Sequence, residues 1–136
     1  MLDLWPVSAP WPRENRLKVL IIDDERDIRE IATLSLTRGE MQVITASSGS
    51  EGVRLARELR PDAILLDLMM PLMDGRATLA ALQGEQSTAH IPVVLLSAAS
   101  DDAKDLKPLG AAGVIAKPFD PLTLPARLRS VLATHH

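Results

Sequence analysis

The chain has no cysteine and no tyrosine, and only one phenylalanine and two tryptophans among its 136 residues. Without thiols it has neither disulfides nor thiolate metal sites, which fits a reducing compartment. It also lacks a basic run interleaved with aromatics, and its net charge of −3 adds to the case against a nucleic-acid surface. No apolar stretch approaches the roughly 20 residues a membrane helix needs, and no cationic segment leads into an apolar one at the start. Neither a membrane span nor a signal peptide is therefore read, and the expectation is a soluble, cytoplasmic protein. What is present is a hydrophobic content of 46%, enough for one continuous core in a chain of single-domain length.

Residues 1–16 carry Trp5-Pro6, Pro10 and Trp11-Pro12, so both tryptophans are biased towards extended backbone by the proline that follows. This stretch reads as an arm, mobile or loosely docked, with the alternative that its indoles fill a groove on this domain or on a partner. Residues 17–133 form the expected domain and 134–136 a short tail. Within the domain, apolar runs at 17–22, 41–46, 63–67, 91–96 and 112–116 alternate with helical patterns. Ile28, Ile31, Ala32 and Ser35 share one face of the first helix with Leu34 beside it. Ser47-Ser48-Gly49-Ser50 turns the chain into a second helix, and Asp74 is placed to cap a third. Ser100-Asp101-Asp102 starts a short fourth helix cut by Pro108, and Asp120-Pro121 opens a last one with Leu122, Leu124 and Leu128 apolar and Pro125 in its first turn.

Five repeats of strand then helix, with short connections, predict an α/β fold with a parallel five-stranded sheet covered on both faces. Ligands in such sheets bind beyond the carboxyl ends of the strands. That edge gathers Asp23, Asp24, Asp67, Ser97 and Lys117 from across the chain. Asp67 stands at the end of Ala63-Ile64-Leu65-Leu66, a run suited to burial on both faces, and a carboxylate there needs a cation or a cap. Oxygen-only donors select a hard cation, and Mg²⁺ fits best because it takes one or two carboxylates and leaves room for phosphoryl oxygens. Three aspartates, one Mg²⁺ and Lys117 come to zero net charge, so a phosphoryl group can then enter.

Each piece also has an ordinary reading. Asp67 alone can be a strand-end acid, Asp23-Asp24-Glu25 an acidic helix start, Ser97 a cap and Lys117-Pro118 a turn. Met69-Met70 suits loop packing, His90 a surface loop, and His135-His136 have no partner at metal-ligand spacing. Their co-occurrence in register is what favours function.

Together, Val19-Leu20-Ile21-Ile22-Asp23-Asp24-Glu25, Leu65-Leu66-Asp67-Leu68-Met69-Met70-Pro71 with Asp74-Gly75, Ser97-Ala98 and Lys117-Pro118-Phe119 resemble the receiver domain of two-component response regulators. The resemblance implies a flavodoxin-like (βα)5 three-layer sandwich with strand order 2-1-3-4-5, apparently stand-alone because no output domain follows. It implies that Asp67 accepts a phosphoryl group from a sensor histidine kinase, a histidine phosphotransfer protein or a small donor such as acetyl phosphate. Asp24 and Asp67 would ligate Mg²⁺ directly, Asp23 through a water, and the Met69 carbonyl would add a backbone oxygen. Lys117, aimed by a cis peptide to Pro118, would hold one phosphoryl oxygen and the Ser97 hydroxyl another. The signal would pass to a further protein target, with no nucleic acid or membrane insertion and no catalysis beyond the chain's own phosphorylation and dephosphorylation.

Two features depart from the family's pattern: Val114 stands where many members carry an aromatic, and the segment from Ser97 to Lys117 is about two residues short. One rival is a haloacid-dehalogenase-type phosphohydrolase, but the second Asp that class wants two positions on is Met69 here. The other is a pseudo-receiver, a binding module that never takes phosphate.

Overall fold

A computed structural model describes residues 16–70, 75–98, 106 and 109–135. The Trp/Pro arm, the Asp74 cap and the helix expected from Ser100 lie outside the described residues, apart from Leu106 in that helix. Five strands are present: β1 (Lys18–Ile22), β2 (Gln42–Ala46), β3 (Ala63–Asp67), β4 (Val93–Ala98) and β5 (Gly113–Lys117). The four described helices are α1 (Arg26–Arg38), α2 (Gly49–Leu59), α3 (Gly75–Gly84) and α4 (Leu124–His135). Every strand pair is parallel and the sheet runs β2-β1-β3-β4-β5, the expected 2-1-3-4-5 order.

β3 is buried along all five residues, because α2 and α3 cover one face of the sheet while α1 and α4 cover the other. Leu20, Ile22, Ile64 and Leu66 meet Val53, Ala56, Leu79 and Leu82 on the first face. Val19, Ile21, Leu65 and Leu96 meet Ala32, Leu36, Leu124 and Leu128 on the second. Alternate residues of one strand thus feed two separate cores, which is why these runs read as continuously apolar.

Several local readings are corrected. α1 turns Ala32, Ser35 and Leu36 inwards, and leaves Ile31 42% and Leu34 67% exposed. The i, i+3, i+4 set starting at Ala32 is the one that reaches α4, and Ser35 adds a hydrogen bond from its hydroxyl to the Pro121 carbonyl. β4 starts at Val93 rather than Ile91 because Pro92 has no N–H for the ladder, although its carbonyl accepts from Ile64 N at 3.0 Å. The last helix starts at Leu124, so Leu122 precedes it and is 83% exposed, while Pro125 does sit in the first turn. Asp120 still organises that start: its carbonyl accepts from Leu124 N at 3.0 Å and its Oδ1 from Leu122 N at 2.9 Å. Ser48 caps α2 as expected, its hydroxyl accepting from Glu51 N at 3.2 Å. His90 is exposed in the turn before β4, as read.

A candidate acidic site at the carboxyl edge of the sheet

β1 and β3 are the adjacent strands from which the chain crosses to opposite faces, and their carboxyl ends open the crevice where such folds bind ligands. Asp23 follows β1 directly and is fully buried, while Asp67 ends β3 with 3% of its surface exposed. Lys117 ends β5 two strands away and spans the gap. Its Nζ lies 2.9 Å from Asp23 Oδ2, 3.3 Å from Asp67 Oδ1 and 3.6 Å from Glu25 Oε1. The Lys117–Pro118 peptide is cis, as the resemblance implied.

Backbone donors hold the two aspartates. Asp23 Oδ1 accepts from Glu25 N at 2.9 Å and Asp67 Oδ1 from Met69 N at 3.1 Å, both two-residue turns in which the carboxylate fixes its own loop. Arg29 on α1 donates to the Asp23 carbonyl at 2.8 Å. Asp67 Oδ2 is buried without a hydrogen-bond partner, an oxygen that a hard cation would satisfy.

Asp23, Glu25 and Asp67 each bring one carboxylate oxygen within 4.8 Å of the others, so this group can hold a metal ion. Asp24 is exposed and stands outside that group. In the sequence Glu25 reads only as part of the acidic motif and the helix start. It is the residue before α1, extended at φ −87° and ψ 116° and making no side-chain cap, which frees its carboxylate to face Lys117. In extended backbone residues i and i+2 share a side, and that period of two was the available signal that Asp23 and Glu25 face together. Ser97 is buried near the end of β4, opposite Ala116 of β5, and Ala98 pairs with Lys117. Met69 is 67% exposed at the mouth. Of the five residues expected at this edge, Asp23, Asp67 and Lys117 meet, with Glu25 beside them, while Ser97 stands near the end of β4 and Asp24 is exposed outside the group.

Burial pushes the Asp67 carboxyl up to about 6, with the Asp23 charge in the same direction and the Met69 N–H and Lys117 opposing. Burial draws the Lys117 ammonium down, but its hydrogen bond to Asp23 and the charges of Asp23 and Asp67 outweigh it and the net shift is upward. A carboxyl raised on folding favours the protonated native state, so its stabilising contribution is full below about pH 4 and is lost as pH rises through about 6. Metal-free protein is accordingly expected to lose on the order of 2 kcal/mol across that window. Chemical denaturation at closely spaced pH values measures this, and Asp67→Asn should flatten the profile. An unchanged slope in the variant would refute the assignment.

A doubly wound parallel sheet in this strand order, with an acidic, lysine-bridged cleft at its carboxyl edge, places the chain in the flavodoxin-like class. Within it, residues 19–129 match the response regulator receiver domain, and the chain belongs to that family. It is 40% identical over 116 residues to the transcriptional regulatory protein AfsQ1 of Streptomyces coelicolor, covering 84% of this chain and 50% of that protein. Among solved structures it superposes on the chemotaxis response regulator CheY4 of Vibrio cholerae with a TM-score of 0.80 at 32% identity, covering 86% of this chain and 99% of that one. The signal receiver domain of a signal transduction histidine kinase from Syntrophus aciditrophicus gives 0.76 at 31% identity, covering 87% and 91%. The chain spans about half the length of the curated relatives it matches. It is thus a receiver domain of two-component signalling, a signalling family rather than a class of metabolic enzymes. Among the described residues no helix is long and apolar enough to cross a membrane.

Proposed function

We propose that residues 17–133 form a Mg²⁺-dependent phospho-receiver in which Asp67 takes a phosphoryl group from a phosphohistidine of a sensor kinase or phosphotransfer protein. The observation that carries this reading is the buried, unpartnered Oδ2 of Asp67 beside the Lys117 ammonium. Asp23, Glu25 and Asp67 are the carboxylates that would hold the ion, with Asp24 at the exposed lip and the Met69 carbonyl as the further donors that family membership assigns. When bound, Mg²⁺ supplies positive charge that offsets the donor's phosphoryl oxygens.

The chain's own residues do the rest. A carboxylate oxygen of Asp67 forms the new O–P bond as the donor's P–N bond breaks, and the imidazole nitrogen leaves with the electron pair. Lys117, held by Asp23, takes one phosphoryl oxygen, and the Ser97 hydroxyl donates to another. The acyl phosphate carries about −1.5 to −2 charge where the carboxylate of Asp67 carried −1, and places it further out on three phosphoryl oxygens. Drawn towards that charge, Ser97 and the end of β4 carry the change to the surface, where a target protein or an attached output domain reads it. The exposed Val114 beside that strand leaves less bulk to move than the aromatic of many relatives. A phosphohistidine donor places the reaction in the cytoplasm.

Incubation with acetyl phosphate and Mg²⁺, read by intact mass and a phosphate-affinity gel, tests this. A lasting adduct that disappears in Asp67→Asn and under EDTA is expected. Turnover of many phosphate esters would point instead to a phosphohydrolase. No adduct from acetyl phosphate or from any cognate kinase would leave a pseudo-receiver.

A further inference from the structure

The phosphoryl reading leaves two things unused, the Trp/Pro segment and a groove on the opposite flank of α1. That groove has a volume of about 460 Å³ and is lined by Arg26, Arg29, Glu30, Thr33 and Leu34 of α1 and Thr45 of β2. Its walls are mainly apolar, and Leu34 stands 67% exposed at its rim. β2 is an edge strand, so this side of the sheet has no neighbouring strand to close it.

We propose that the groove is the docking site of the chain's own N-terminal segment, with the Trp11 indole as its anchor. Chain length and attachment point argue for this occupant. The segment joins the fold at Arg16, next to Leu17, whose carbonyl accepts from Gln42 N at 2.8 Å at the start of β2. From Gln42 to Thr45 is three residues along a strand, roughly 10 Å. Trp11 is five residues from Arg16, a reach of up to about 17 Å. Trp11 can therefore arrive beside Thr45 without spanning any other element.

The chemistry agrees. Pro10 and Pro12 flank Trp11 and lack backbone donors, so the segment is unsuited to extending the sheet beyond β2 and suited to lying extended in a groove. Arg26 and Arg29 offer guanidinium planes over which an indole can stack, and Arg26 is already held by Glu30 at 2.9 Å. Leu34, Thr33 and Thr45 line the rest of the groove. Arg29 is also the residue that donates to the Asp23 carbonyl, so the docked segment lies one hydrogen bond from the acidic site.

The composition supplies the reporter. Both tryptophans are in the segment and the chain has no tyrosine, so intrinsic fluorescence observes the segment alone. In the 136-residue chain carrying Trp5→Phe, Trp11 should emit to the blue of the isolated 1–15 peptide with the same substitution. Its acrylamide quenching constant should be at most half that of the peptide. Leu34→Asp and, separately, Thr45→Arg, both at exposed positions, should return emission and quenching to the peptide values. Leu122→Asp, an equally exposed site away from the groove, should change neither, and circular dichroism should confirm that all three variants are folded. Three results overturn the proposal: Trp11 quenched as readily as in the peptide, protection that survives both groove variants, or protection that appears only as protein concentration rises, which would make a second copy the occupant.

Discussion

Lys117→Met is expected to destabilise the metal-free protein by about 3 kcal/mol at pH 7, the low end of what losing one partner of a buried ion pair costs. The methionine keeps the aliphatic stem and removes only the ammonium. That ammonium lies 2.9 Å from Asp23 and 3.3 Å from Asp67, both nearly inaccessible to water, and 3.6 Å from Glu25. Without it, three carboxylates whose oxygens lie within 4.8 Å of one another have no counter-charge. The penalty is capped because Asp67, already raised to about 6 by burial, can take a proton instead. Two consequences separate this from a general packing defect. The loss should shrink as pH falls below about 6, where Asp67 is protonated in wild type and variant alike, and Asp67→Asn should restore much of it at pH 7. Millimolar Mg²⁺ should recover stability in Lys117→Met and not in the double variant. Denaturant titrations with and without Mg²⁺ measure each quantity. A loss independent of pH and of the cation would mean that Lys117 matters for packing alone.

The same charges explain why much of the site is legible in the sequence. An apolar run that a sheet buries on both faces cannot end in a carboxylate without a partner, and β1 and β3 both do so. Parallel topology then requires the ends of β1, β3, β4 and β5 to share an edge, so Asp23, Asp67, Ser97 and Lys117 follow from strand order rather than from any local motif. What stayed hidden depends on side-chain direction. The role of Glu25 turns on one extended residue before α1, and a run of three acids does not say which two face inwards. On α1, both the set around Ile28 and Ile31 and the set around Ala32 and Leu36 satisfy helical periodicity. The position of α4 decides between them, and a sequence window does not contain α4. The exposure of Ile31 and Leu34 is the residue of that choice, and Leu34 lines the groove beside β2.

Gly75 carries the other large effect, and the sequence motif that contains it does not say why a glycine stands there. Gly75 is the first residue of α3, and its N–H donates to the Leu68 carbonyl at 3.1 Å. A Cβ there would overlap the Leu68 Cα and the Asp67 carbonyl oxygen, and would lie 2.8 Å from the Leu68 carbonyl carbon. These are backbone atoms of the segment that carries the acceptor, and they cannot swing aside as a flexible side chain can. Gly75→Ala is therefore expected to cost about 2–3 kcal/mol. It should also weaken Mg²⁺ binding, since relief comes only by moving α3 away from Asp67 or by moving Asp67 itself. Gly84, at the far end of the same helix, has nothing within 4 Å of its Cβ position. Gly84→Ala should be neutral or stabilise by up to about 1 kcal/mol through the unfolded chain. Denaturation midpoints and Mg²⁺ titrations of the two variants side by side provide the comparison. Equal effects at the two ends would show that helix propensity governs Gly75, whereas a loss confined to Gly75 and accompanied by weaker Mg²⁺ binding ties this glycine to the placement of Asp67.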